Sequence, residues 1–338
     1  TTEIYTLSLH DALPISMPRT PLALCLFLTL VLLPASGRAE KQAVLLLQWL
    51  PQSQFAGFYV AQDKGFYREA GVDLTVRAGG PDILASRELA RGAVEFATMF
   101  LATGIQRQSE GMPLVHLAQL VQRSALMLVA RSDSGVREPK DLDGRRVSLW
   151  DNEFQLQPQA LFQRLGIVPD VVPQGSSLSL FLRGGVAAVS AMWYNEYHTL
   201  LASGLNADEL TVFFFADMGL NFPEDGIYCL GRTWDQDPAL CRAMVAGTLR
   251  GWRYAFEHPD EALEIVLTHM REARVPANRA HQKWMLARMR DIILPLGRED
   301  RLGRLDRLDY QRTASVLLER GLIPFAPTYE RFTREAAP

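Results

Sequence analysis

Seven residues combine flat rings with directional polar groups near the ends of apolar runs: Trp49, Trp150 and Tyr194, and Asn195, Glu196, Glu224 and Asp225. A flat heterocycle needs aromatic faces above and below it. It also needs a few well-placed acceptors or donors at its edge. The three rings are candidates for the faces; the amide and three carboxylates are candidates to accept from ring N–H or exocyclic amino groups. Gln54, Tyr59, Met99 and Glu153 complete the candidate ligand-binding set. Each also has a plainer reading. A tryptophan at a strand end can simply pack, Glu196 can favour a helix N-terminus through the dipole, and Glu224-Asp225 after Pro223 can be a solvated turn.

Charge narrows the ligand class. Residues 187–231 contain no Lys or Arg but six acids, Glu196, Asp208, Glu209, Asp217, Glu224 and Asp225. Residues 49–59 and 147–163 also lack basic side chains. A sulfonate or phosphate site normally uses Arg, Lys or clustered backbone N–H groups. This lining favours a neutral or cationic ring carrying amino groups, and a cation over a Trp face gains about 0.5–2 kcal/mol. Enzyme motifs are missing: there is no G-x-S-x-G, P-loop, G-x-G-x-x-G or H-E-x-x-H pattern. His116, His198, His258, His269 and His281 lack metal-ligand spacing. No catalytic residue, metal or cofactor is expected.

These residues must be positioned by an α/β framework. Apolar runs at 43–48, 72–77, 94–98, 114–119, 126–130, 146–149, 187–192 and 211–215 read as strands, with helical patterns between them. The five loops 49–55, 99–101, 150–154, 193–196 and 221–225 then hold the candidates. In open α/β sheets, ligands bind at the carboxyl ends of strands. A helix is expected over 55–70. From Trp234 to Arg320 amphipathic helical periodicity dominates. The 338-residue length, 48% hydrophobic and 22% charged composition and net charge of −3 describe a globular chain and argue against a nucleic-acid binder.

Residues 1–16 precede Met17 and read as a non-native leader. Residues 17–39 read as a cleavable signal peptide: Arg19, an uncharged run over 21–35, then small Gly37 and Ala39 before the cut. The run is shorter than the roughly 18–20 residues that span a bilayer comfortably. A periplasmic location is therefore expected. Cys229 and Cys241 remain in the mature chain, where an oxidising compartment permits a bridge; two separately buried thiols fit equally well.

The stretch WLPQSQFAGFYVAQDKGFYREAGVDL (49–74), VEFA (94–97) and SGVREPKDLDGRRV (134–147) resembles the type II periplasmic solute-binding proteins. The group includes alkanesulfonate-binding proteins, thiamine-pyrimidine-precursor binders and thiamine pyrimidine synthases. The resemblance implies an α/β, two-lobed periplasmic-binding-protein fold with a ligand cleft at the hinge and a helical C-terminal third. One lobe would comprise 40–124 plus 227–338, and the other 125–226. It implies a protein that closes around a solute and presents it to an importer; the expected partners are a small heterocycle and an ABC permease in the inner membrane, and a monomer is expected. The synthases in the group use a lysine for pyridoxal phosphate where this chain has Met99, and a cysteine-rich segment where 220–229 holds only Cys229. The motif histidine near the first helix is Phe55. These departures favour binding over synthesis. A divergent pyrimidine synthase and a sensory input module for a membrane kinase are the alternatives.

Overall fold

The computed structural model describes residues 40–150, 153–296, 299–334 and 336. The leader and signal-peptide expectations lie outside the described residues.

Among the described residues, ten strands form two five-stranded sheets. They are β1 (Lys41–Leu46), β2 (Val72–Arg77), β3 (Phe96–Phe100), β4 (Leu114–Gln119), β5 (Leu126–Arg131), β6 (Arg146–Trp150), β7 (Asp170–Gln174), β8 (Ala188–Met192), β9 (Leu210–Phe214) and β10 (Asp225–Leu230). The first sheet runs β2-β1-β3-β10-β4 and the second β7-β6-β8-β5-β9. Within the first, β1 pairs in parallel with β2 and β3, while β10 is antiparallel to β3 and β4. Within the second, β6 is parallel to β7 and β8, while β5 is antiparallel to β8 and β9. Each sheet therefore receives one antiparallel strand across a connection from the other. Residues 120–125 lead out to β5, and residues 215–224 lead back to β10.

The strands carry near-continuous apolar runs because helices cover both faces. Every residue of β3, β8 and β10 is buried. β7 lies at a sheet edge, is largely exposed and contains Pro173, as a missing N–H requires. The sequence reading missed β7 for that reason. It also missed β10, because the acidic pair at its start reads as a loop.

The helix expected over 55–70 is two pieces, Ala56–Asp63 and Phe66–Glu69. Gly65, at φ 74°, breaks the chain between them. In the C-terminal third, helix starts follow local chemistry. Asp237 accepts from Leu240 N ahead of Pro238–Glu257, and Asn278 accepts from His281 N ahead of Arg279–Ile293. The helix Ala56–Asp63 lies unusually close to Pro238–Glu257. A Cβ at Gly57 would stand 2.3 Å from the Trp252 ring, and one at Gly251 2.0 Å from the Gly57 carbonyl oxygen. Cys229 and Cys241 are buried free thiols. No helix among the described residues is long and apolar enough to cross a membrane.

Candidate ligand-binding site

The carboxyl ends of four strands, two from each sheet, converge on one pocket. Gln48 and Trp49 follow β1, Phe100 closes β3, Trp150 closes β6, and Met192, Tyr194, Asn195 and Glu196 lie at the end of β8. Gln52, Gln54 and Phe154 complete the lining. No Lys, Arg, His or Cys is among these described lining residues.

The aromatic side is built around Phe154. Its ring centroid lies 4.7 Å from Phe100, 6.0 Å from Trp150 and 6.1 Å from Trp49. The polar side is layered. Gln52 donates to Gln54 Oε1 at 2.7 Å. The Gln54 amide in turn donates to Asp225 Oδ2 at 2.9 Å, and Gln48 donates to Asp225 Oδ1 at 2.6 Å. Asp225 thus fixes two pocket glutamines from the layer behind them.

Glu196 accepts from Met192 N at 2.9 Å and from Asn195 Nδ2 at 2.7 Å. Each carboxylate oxygen has capacity for a further donor. Burial pushes its carboxyl up to about 7, against those hydrogen bonds. Burial likewise raises Asp225 to about 6. Tyr194 sits among three carboxyls. Burial, with Glu224, Asp225 and Glu196 nearby, holds its phenol well above its usual range.

A helix from the C-terminal third grips this wall. His281 Nε2 lies 2.9 Å from Asn195 Oδ1, and His281 Nδ1 lies 2.8 Å from His198 Nδ1. Because Asn195 uses its NH₂ on Glu196, its carbonyl oxygen faces His281, and Nε2 of His281 is the donor. His281 Nδ1 then accepts from His198. The His198 ring stacks on Trp284 at 5.0 Å.

Of the residues singled out in the sequence, Trp49, Gln54, Trp150, Tyr194, Asn195 and Glu196 line the pocket together. Asp225 lies one layer behind. Glu224 is buried in the connection between the sheets and does not line the pocket. Its Oε1 accepts from Ser124 Oγ at 2.9 Å, Ala125 N at 2.6 Å and Leu126 N at 3.1 Å, tying one crossing segment to the other. Neither acid is a solvated turn: exposures are 1% and 2%. Burial, with Asp225 beside it, lifts Glu224 to about 8. Met99 lines a neighbouring recess. Tyr59 lies elsewhere, stacked on His269 at 4.3 Å. The Glu153 side chain falls outside the described residues. Gln48, Gln52, Phe100, Phe154 and Met192 were not singled out. Phe100 and Phe154 lay inside the expected loops, and the Q-x-x-x-Q-x-Q spacing from Gln48 was the available signal for the other two polar groups.

A family model described as NMT1/THI5 like matches residues 52–262. The chain belongs to the NMT1/THI5-like family. Within the known proteins it is 25% identical over 250 residues to the riboflavin-binding protein RibY of Chloroflexus aurantiacus, covering 72% of this chain and 70% of that protein. It is 23% identical to a formylaminopyrimidine-binding protein of Halalkalibacterium halodurans, covering 72% and 74%. Among solved structures, the alkanesulfonate-binding protein SsuA of Xanthomonas axonopodis pv. citri, bound to MOPS, superposes with a TM-score of 0.65 at 14% identity, covering 87% of this chain and 98% of that one. That likeness establishes the two-lobed periplasmic-binding-protein fold for this NMT1/THI5-like chain. A pocket at the strand ends of both sheets accords with that fold.

Proposed function

We propose that this chain is the periplasmic solute-binding component of an ABC importer, taking a neutral or cationic nitrogen heterocycle with amino groups, such as a thiamine pyrimidine precursor. One observation carries the reading: two tryptophans, Glu196 and Asn195 share a pocket whose described lining holds no basic side chain. A sulfonate in this pocket would meet a carboxyl with no cation opposite it. An amino heterocycle would instead donate to Glu196, whose carboxyl lies near neutrality and can share a proton with a ring nitrogen. Trp49 and Trp150 supply apolar faces, and Asn195 reads a neighbouring edge group. The absence of a lining lysine supports binding rather than Schiff-base chemistry. The relatives named for riboflavin and formylaminopyrimidine support the same ligand class.

A thermal-shift screen of the mature chain tests this reading. The panel holds formylaminopyrimidine, 4-amino-5-hydroxymethyl-2-methylpyrimidine, thiamine, riboflavin and taurine. A ligand at 100 times its Kd stabilises by about 2.7 kcal/mol, so one of the four heterocycles raises the melting temperature. A shift with taurine alone overturns the proposal.

A further inference from the structure

The helix Arg279–Ile293 touches both walls of the pocket without lining it. One face looks towards the first sheet. Gln282 Oε1 accepts from Ser53 N at 2.7 Å, and Gln54 N donates to Met285 Sδ at 3.2 Å. Both bonds end in the turn after β1 that carries the pocket residues Gln52 and Gln54. The other face looks towards the second sheet, where β8 ends. His281, Trp284 and Arg288 stand there three and then four residues apart, on one side of the helix. His281 holds Asn195 and His198. Trp284 Nε1 donates to the Trp193 carbonyl oxygen at 3.4 Å, and its ring backs the His198 ring. The Arg288 guanidinium lies 4.9 Å from the Trp193 ring centre and 4.7 Å from that of Trp284.

Two neutral imidazoles close this contact. Nε2–H of His281 is committed to Asn195, so its Nδ1 offers a lone pair and His198 Nδ1–H donates to it. A first proton fits on His198, which remains the donor. A second, on His281, sets two N–H groups against each other 2.8 Å apart. No carboxylate among the described residues is paired with either ring. Arg279 pairs with Glu264 and Lys283 with Asp260, both on the helix Pro259–Glu272. Arg288 pairs with Asp291 beside the two tryptophans. The turn Ser53–Phe55 has no ionisable side chain, and Glu196 is turned to Met192 N and Asn195. Burial and the neighbouring His198 accordingly hold His281 down at about 4, and burial lowers His198 as well.

We propose that the helix Arg279–Ile293 is a clasp that holds the two pocket walls together over a bound solute, with the His198–His281 pair as its proton-sensitive catch. The helix stays fixed to the first side through Gln282 and Met285. It lets go of the second side when both imidazoles are charged. His281, Trp284 and Arg288 are positioning residues: none lines the pocket, yet together they set how long a solute stays. The solute is held near neutral pH and released faster as the medium acidifies. This rests on the reading of the pocket as a solute site, not on which solute fills it.

Stopped-flow kinetics of the mature chain with riboflavin, 4-amino-5-hydroxymethyl-2-methylpyrimidine and taurine test it. Because opening takes up a proton, a bound probe should leave about tenfold faster at pH 5 than at pH 7.5, with association little changed. Glu196→Gln removes the pocket carboxyl's own titration, and the pH dependence survives it. Adding His198→Gln and His281→Gln, which keep donors and acceptors but take no proton, abolishes the dependence. Trp284→Leu loses a hydrogen bond and a cation–π partner, and speeds dissociation about tenfold at both pH values. The melting temperature of the free protein is the folding control for each variant. If a heterocycle binds and its dissociation ignores both pH and Trp284→Leu, the clasp is overturned while the heterocycle reading stands. If taurine alone binds and leaves faster at pH 5, the heterocycle reading falls and the clasp stands. If none of the three binds, small-angle scattering of the free chain decides. A radius of gyration that grows at pH 5, but not with both histidines replaced, supports the clasp; an unchanged radius overturns it.

Discussion

His281, on a helix of the C-terminal third, places its Nε2 2.9 Å from the side-chain oxygen of Asn195, on the pocket wall at the end of β8. With the Asn195 NH₂ committed to Glu196, the amide oxygen accepts from His281, and this bond helps hold that orientation. His281→Leu removes the donor and frees the amide to flip. One hydrogen bond of about 0.5–1.5 kcal/mol corresponds to ligand affinity weakened about 2–10-fold. His281→Gln, which keeps a donor, recovers part of the loss. Calorimetry with the best ligand of the thermal-shift panel measures both.

Glu224 holds the two crossing segments together through three donors on residues 124–126. Glu224→Ala leaves those buried donors unpaired. The expected cost is about 2–5 kcal/mol, read as a lower denaturant midpoint. Glu224→Gln keeps an acceptor and costs less. Equal midpoints for the two variants would refute the role of the carboxyl oxygen.

Stability depends on pH in two windows of opposite sign. Glu196, Asp225 and Glu224 have carboxyls raised to about 7, 6 and 8. The folded chain therefore holds more protons than the unfolded one between about pH 4.5 and 8. Their contribution is present at low pH and is lost as pH rises through 6–8. His281 is pushed down to about 4 by burial and by His198. The unfolded chain binds that proton first, so stability also falls as pH drops from about 6.5 towards 4. Denaturant midpoints measured from pH 5 to 8.5 should decline on the alkaline side. Glu196→Gln with Asp225→Asn should flatten that decline, and an unchanged slope would contradict the assignment.

Gly57→Ala places a methyl 2.3 Å from the Trp252 ring. Overpacking of this kind costs about 1–3 kcal/mol, more than the roughly 0.5–1 kcal/mol that Ala gains over Gly within a helix. Net destabilisation is expected in thermal melts.

Most of the strands, and the tryptophans at their ends, were legible in the sequence because they depend on local pattern. β1, β3, β5 and β8 are apolar runs, and Trp49 and Trp150 sit where such runs stop. The break at Gly65 was less legible, since the apolar periodicity continues across it and one left-handed residue decides the matter. β7 and β10 escaped because the edge strand is exposed and interrupted by Pro173, and the other opens on Asp225 directly after Glu224. The roles of Glu224 and Asp225 depend on partners far away in the chain: Ser124 and Ala125 for one, Gln48 and Gln54 for the other. Their chemistry was visible, but their address was not. His198 and His281 are separated by 83 residues, and no local spacing reports their contact.

The central claim is that the Trp49–Trp150 pocket takes an amino-bearing heterocycle through Glu196 rather than an anion. Competitive calorimetry on the mature chain, with 4-amino-5-hydroxymethyl-2-methylpyrimidine and riboflavin against taurine, tests it most directly. The account predicts one-to-one binding of a heterocycle, at least tenfold weaker in Glu196→Gln and indifferent to excess taurine. Tight taurine binding that no heterocycle displaces would contradict it.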